Sequence, residues 1–195
     1  IILRELKECG FQVEGQLVRF SEEQVMACLA TAPSTFTLKG RNALNNISIG
    51  NNSRCMAPAY GAPEVVMADH QRRQADFNDY IRIAKLVQAT DILHLSGGIL
   101  VQPGELGPDL ASLIMIYTAL TLGDKPLLGI QGTEYEVRRI MELGCIAFGS
   151  EVEFKSCPRF LFLVNTLSPL QMDANALATL RICAEYSQAA IITPG

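Results

Sequence analysis

The sequence predicts an α/β fold, a partial (β/α)8 barrel of the TIM type. Its first about five β/α units fill residues 53–195, and a small α+β segment fills residues 1–52. Three observations lead there. From Cys55 onward, short apolar runs alternate with amphipathic helical stretches, the grammar of a parallel sheet covered by helices. The five apolar residues 160–164 read as a strand buried on both faces, and they run straight into Asn165-Thr166-Leu167-Ser168-Pro169, a loop rich in hydrogen-bonding groups. Finally, glycines 97, 98, 104 and 107 lack the Gly-x-Gly-x-x-Gly spacing of a dinucleotide site, and no phosphate-loop Gly-Lys-Ser/Thr occurs. Regular β/α units without a phosphate fingerprint suit a barrel better than an open sheet, and about five of them form only part of an eight-stranded ring.

The elements follow in order. Residues 1–9 carry apolar side chains at helical spacing, with Gly10 as a stop. Residues 11–13 and 17–20 alternate about Gly15 as a hairpin. Ser21-Glu22-Glu23-Gln24 is a capping box that opens a helix through residue 31, ended by Pro33. Residues 36–38 and 47–49 alternate like exposed antiparallel strands. Residues 55–57 read as a strand leading into a loop fixed by Pro58, Gly61 and Pro63, and the polar stretch to Gln74 reads as loop.

Residues 75–88 form an amphipathic helix, with Asp76, Asp79, Arg82 and Lys85 on its polar face. A strand at 92–96 opens into Gly97-Gly98, and Asp109 is placed to cap a helix over 110–122. A strand at 127–131, a helix capped by Thr133, the strand at 160–164, a helix at 173–186 and a strand at 190–192 complete the pattern. The chain starts at Ile1 as if inside a helix and stops at Gly195 as a strand hands over to its loop, so it is expected to be a piece of a longer protein.

Composition excludes several functions. A net charge of −4 and no basic run argue against a nucleic-acid or anionic-membrane surface. The apolar runs fall short of the roughly 20 residues needed to cross a bilayer. Six scattered cysteines without a Cys-x-x-Cys pair are expected to be reduced, mostly buried thiols of a cytoplasmic protein. Two histidines without metal-ligand spacing give no basis for a metal site. No Gly-x-Ser-x-Gly nucleophile motif occurs, and Cys157 precedes its strand at the end away from a barrel site. No catalytic residue is assigned.

Ligands of β/α folds sit at the carboxyl ends of the strands, and here those ends offer Tyr60, Ser96, Gln131, Asn165, Thr166, Ser168 and Thr193. Amides, hydroxyls and one aromatic suit a neutral, zwitterionic or cationic small molecule, and the Tyr60 ring could face a quaternary ammonium or simply pack beneath its loop. His94, within the apolar stretch 92–95, reads more as a hydrogen-bonded supporting residue than as a ligand or base, and is kept among the substrate-site candidates.

Residues 32–41 (Ala-Pro-Ser-Thr-Phe-Thr-Leu-Lys-Gly-Arg), Gly61-Ala62-Pro63, Asp124-Lys125-Pro126, and Asn165 followed by Leu167-Ser168-Pro169-Leu170 together resemble the trimethylamine methyltransferase (MttB-like) superfamily. The resemblance implies a β/α barrel enzyme that takes a methyl group from a methylated amine and passes it to the cobalt of a corrinoid. The corrinoid is carried by a separate cognate protein, so this chain itself is expected to bind no cofactor and the full-length protein to be a homo-oligomer. Some members use trimethylamine and a pyrrolysine, whose position would fall beyond Gly195; others take quaternary amines such as glycine betaine. Thr166 stands where many relatives have Pro. The alternative is a non-catalytic small-molecule-binding barrel that has lost methyl transfer, while an aldolase-type barrel is disfavoured by the lack of a strand-end lysine.

Overall fold

The computed structural model describes residues 1–193, with the side chain of Asp109 outside that description. The chain divides into two compact units, Ile1–Phe36 and Thr37–Gly195. In the first, helix α1 (Ile2–Glu8) leads into a hairpin of β1 (Gln12–Glu14) and β2 (Leu17–Arg19), in which Val13 faces Val18. Gly15 turns it at φ +62° and Phe11 packs on Phe20, ring centroids 5.0 Å apart. Helix α2 (Glu22–Ala30) starts at the expected capping box, Ser21 and Gln24 each accepting the other's backbone N–H.

The second unit opens with β3 (Thr35–Leu38), whose first residues straddle the division, paired with β4 (Ile47–Gly50). Its body is a four-stranded parallel sheet of β7 (Ser96–Gly97), β8 (Leu127–Gly129), β9 (Phe160–Asn165) and β10 (Ala189–Thr193), ordered as in the sequence. Helix α3 (Phe77–Ala89) precedes β7. Helix α4 (Pro108–Leu122) crosses from β7 to β8, α5 (Glu134–Ala147) and α6 (Glu151–Lys155) from β8 to β9, and α7 (Ala174–Glu185) from β9 to β10. Phe160, Phe162 and Val164 alternate onto the helical side and are fully buried with Ile140, Met141, Phe154 and Ile182. Gly129 has no side chain because Phe162 fills the space, its ring atoms 2.6 Å from where a Cβ would stand.

Several expectations change. The stretch to Gln74 is not loop: β5 (Glu64–Val66) and β6 (Arg72–Gln74) form a hairpin, with Val65 opposite Arg73. Asp79 does not belong to a solvated face. It is 7% exposed, accepts two hydrogen bonds from the Arg73 guanidinium at 2.6 and 2.9 Å, and closes a capping box with Asp76. No strand forms at 55–57 or 92–95. Residues 56–62 instead run parallel beside 94–102 with intermittent bonds, His94 N–H to Met56 O, Gly61 N–H to Ile99 O and Gln102 N–H to Ala62 O, because Pro58 and Pro63 bring no N–H to a ladder.

Helix α4 takes Gly107 as N-cap with Pro108 in its first turn; the Asp109 side chain expected there lies outside the described residues. The cysteines are free, but only Cys183 is buried, and Cys9 and Cys28 are exposed. No helix among the described residues is long and apolar enough to cross a membrane.

The amino end of the sheet is closed by backbone and side-chain contacts. Lys39 N–H donates to Pro158 O and Arg41 N–H to Asp124 O, while the Arg41 guanidinium donates to Leu120 O and Gly123 O at the end of α4. A Cβ on Gly40 would stand 2.6 Å from Asp124 O. Thus Gly40-Arg41 and Asp124-Lys125-Pro126, far apart in sequence, form one joint.

Candidate functional site

At the opposite, carboxyl end, three adjacent strands present one connected polar cluster. Gln131, two residues past β8, accepts the Asn165 backbone N–H on Oε1 at 2.8 Å. The hydroxyl of Thr193 donates to Asn165 Oδ1 at 2.6 Å. Thr193 O in turn accepts from the backbone N–H and the hydroxyl of Thr166, at 3.1 and 3.0 Å. Parallel register explains the grouping: β9 and β10 pair from Ala189–Leu161 through Thr193–Asn165, so their last residues end level. Asn165 is exposed and Gln131 half-buried, so the cluster faces outward from an otherwise apolar sheet.

The strand that ends here continues into a tight turn, Leu167 N–H to Gln171 O and Gln171 N–H to Leu167 O, at 2.8 and 2.9 Å. Ser168 sits exposed in that turn, next to a cis bond to Pro169, and Leu170 at its tip is fully exposed. Ser168 is therefore in the loop above the cluster and is not one of its hydrogen-bonded members.

Tyr60 occupies a different part of the same end. Its ring lies against Gly98, where the chain leaves β7 with Gly97 and Gly98 at φ +73° and +68°, values that suit residues without a Cβ. Beneath it, the fully buried Tyr80 hydroxyl lies 3.0 Å from both Gly98 O and Met115 O, fixing the turn from below. Burial pushes the Tyr60 phenol up to about 12, so at neutral pH the ring is an uncharged π surface.

The remaining candidates lie elsewhere. Ser96 begins β7 and is buried, its N–H donating to Pro126 O, so it lies at the amino end of the strand. His94 lies two residues earlier still. Its Nδ1 accepts the Met56 N–H at 3.0 Å while its own N–H donates to Met56 O, which makes it a clasp between two chain segments and leaves the ring proton on Nε2. Thr193, named as a strand-end residue but not weighted, proves to be the link that ties Asn165 to Thr166; its signal was the parallel register, which a single sequence does not print.

The site holds no poised nucleophile or metal cluster among the described residues. Burial pushes the Cys183 thiol up to about 12 and raises Cys55 and Cys145, and no group of three His, Cys, Asp or Glu could hold an ion. The arrangement can orient a small molecule through neutral dipoles and an aromatic face.

A glycine betaine methyltransferase of Desulfitobacterium hafniense (strain Y51) is 36% identical over 183 residues, covering 94% of this chain and 38% of that protein. A proline betaine:corrinoid methyltransferase of Eubacterium limosum is 30% identical over 87 residues, 44% of this chain and 18% of that protein. The chain thus spans well under half the length of these relatives. Among solved structures, the hydroxylamine complex of MtmB superposes with a TM-score of 0.64 over 98% of this chain and 42% of its own, at 11% identity, a likeness of fold alone. The trimethylamine methyltransferase model matches residues 1–195 from end to end, and the chain belongs to that family.

Proposed function

We propose that this chain is the amine-binding part of a corrinoid-dependent methyltransferase, which moves a methyl group from trimethylamine or a quaternary amine such as glycine betaine to the Co(I) of a corrinoid on a separate cognate protein. The names of its relatives support the chemistry, and the quaternary amines in those names favour a permanently charged substrate. The observation that carries the reading in this chain is the Gln131–Asn165–Thr193–Thr166 cluster at one end of the parallel sheet. We take residues 53–195 as the N-terminal part of a β/α barrel and residues 1–52 as its α+β preface. Support comes from the strand order, in which each strand lies beside its sequence neighbour; a doubly wound sheet would reverse direction at a switch point.

In this reading the methyl carbon leaves nitrogen, the C–N electron pair departs with the amine, and the carbon joins the partner's cobalt. A quaternary ammonium releases a neutral amine and needs no proton to do so, whereas trimethylamine would have to react in its protonated form, so in either case the task of this chain is to hold a cation with one methyl group aimed outward and to exclude water. An aromatic face contributes roughly 0.5–2 kcal/mol toward a quaternary ammonium, and Tyr60 is the candidate face. Asn165, Thr166 and Gln131 orient the rest of the molecule, Ser168 belongs to the loop above, and His94 supports the segment that carries Tyr60.

The test uses the protein at its full natural length with a reduced corrinoid protein and a panel of methylated amines, following the visible spectrum of the corrinoid. Substrate-dependent methylation is expected. Amine binding without any spectral change would favour a non-catalytic binding barrel instead.

A further inference from the structure

Helix α4 has no polar outer face. It covers the sheet with Met115, Ile116, Ala119 and Leu120, all buried, as a crossover helix must, yet residues 110–122 carry no charge on any side. Leu110, Leu113, Ile114, Tyr117 and Thr121 recur at helical spacing on the opposite side, where Leu110 and Tyr117 are 55% and 57% exposed. Beside this stripe lies a cleft of about 470 Å³, walled by Phe77, Ile81 and Lys85 from α3 and by Ile114, Tyr117 and Leu122 from α4. Even its two threonine hydroxyls are spent inside the helix, Thr118 donating to Ile114 O at 2.8 Å and Thr121 to Thr118 O at 2.9 Å. A helix that is apolar on every side is ordinarily buried on every side, and α4 has one side that no described residue covers.

The two ends of the cleft carry opposite charges. Lys85 is exposed at the end where α3 and α4 finish, and it has no ion pair among the described residues. At the other end, Glu105 Oε1 accepts the Phe77 N–H at 2.6 Å, and this exposed carboxylate likewise has no ion pair among the described residues. Phe77 and Lys85 stand about 12 Å apart along the helix axis, at roughly 1.5 Å per residue. An acid, an apolar seam and a cation in that order are self-complementary. A two-fold axis across the helices turns a second copy antiparallel, so its Lys85 meets the first copy's Glu105, and the reverse, while the uncharged stripes pack on each other. A parallel arrangement would instead set like charges side by side. We infer that the α3–α4 face is a two-fold interface between copies of this chain, with Tyr117 near its centre and a Lys85–Glu105 ion pair at each rim. The interface holds whether or not the chain binds an amine.

The experiment follows the mass of the full-length protein by sedimentation at micromolar concentration. The wild type is expected to hold an even number of copies. Tyr117→Lys plants a charge in the seam and is expected to halve that number while keeping the far-ultraviolet circular dichroism, because Tyr117 is exposed within each copy. Lys85→Glu and Glu105→Lys are each expected to raise the dissociation constant of that association step about tenfold, and the double variant to bring it back to within about threefold of the wild type. Glu105→Lys also gives up its bond to the Phe77 N–H, a loss that the double variant shares, so only re-pairing across the two copies accounts for the recovery. A single copy or any odd number in the wild type, an unchanged mass in Tyr117→Lys, or a double variant no tighter than the singles overturns the interface. Unfolding of Tyr117→Lys overturns it as well, since the face is then covered by further residues of the same full-length chain.

Discussion

The ring of Tyr60 occupies the space that a side chain on Gly98 would need: a Cβ there would come within 2.7 Å of Tyr60 Cε2 and 3.1 Å of Leu128 Cβ. With φ at +68°, Gly98 is excluded from bearing a side chain by both conformation and contact. Gly98→Ala is therefore expected to cost about 1–3 kcal/mol in denaturant unfolding. In a Tyr60→Ala background the same substitution should cost measurably less, since the ring it collides with is gone. Additive losses would show that the two residues do not press on each other.

The Tyr60 phenol, pushed up to about 12 by burial, carries a pH signature. The folded state holds the phenolic proton more tightly than the unfolded chain, whose tyrosine titrates near 10. The associated stability is complete below about pH 10 and is lost as pH rises toward the folded value. Because the chain has no tryptophan, tyrosinate absorbance reports this directly. Tyr60→Phe is expected to remove one equivalent from the late part of the titration; loss of an early equivalent instead would place the ring in solvent.

Lys125 is 8% exposed, and its ammonium donates to the carbonyls of Val87, Thr90 and Leu93 at 2.8, 2.9 and 2.7 Å, the last turn of α3 and the residues beyond it. A cation at a helix C-terminus complements the macrodipole and satisfies oxygens that have no helical partner. Lys125→Met is expected to lower stability by about 2–3 kcal/mol while leaving the substrate KM of the folded protein unchanged. A shifted KM at full stability would move this joint from structure into function.

Asp79 gives the opposite pH dependence. The hydrogen bonds from Arg73, foremost, hold its carboxyl below the usual aspartate range. A lowered folded pKa means that the contribution is complete above about pH 3.9 and is lost as pH falls through the lower folded value. Asp79→Asn should flatten the acid limb of the stability profile and lower stability near neutral pH. An acid limb identical to wild type would show the pair to be energetically silent.

The parallel sheet, four of its helices, one capping box and one further N-cap were legible because each depends on local pattern: the apolar run 160–164, Ser21 with Gln24, and Thr133 before a 3.6-residue period. The β5–β6 hairpin was not legible, because Arg72-Arg73-Gln74 is polar and its strand character comes from pairing with residues 64–66. Asp79 was misread for a related reason: a charge on a helix looks solvated until Arg73 is known to reach it. Asn165 and Gln131 could be read as strand-end groups, but that the Asn165 oxygen is engaged depends on Thr193 lying level with Asn165. The Asp124-Lys125-Pro126 motif looked like a family mark without a role until Arg41 and Gly40 were found docked on it.

Thr193 offers the sharpest separation of site geometry from stability. Its hydroxyl orients the Asn165 amide, whereas its backbone carbonyl receives both bonds from Thr166. Thr193→Val keeps the volume, the β-branched shape favoured in a strand and the carbonyl, so the tie between the two strand ends survives and stability should fall by no more than about 1 kcal/mol. What is lost is the proton that holds Asn165 Oδ1. The amide is then free to rotate, and the KM of the full-length protein for a methylated amine is expected to rise several-fold with kcat little changed, because orientation is lost in the ground state and the transition state alike. Thr193→Ser should restore the wild-type value. If Val and Ser variants bind alike, the Thr193 hydroxyl does not set the orientation of Asn165, and the amide must be held by the substrate itself.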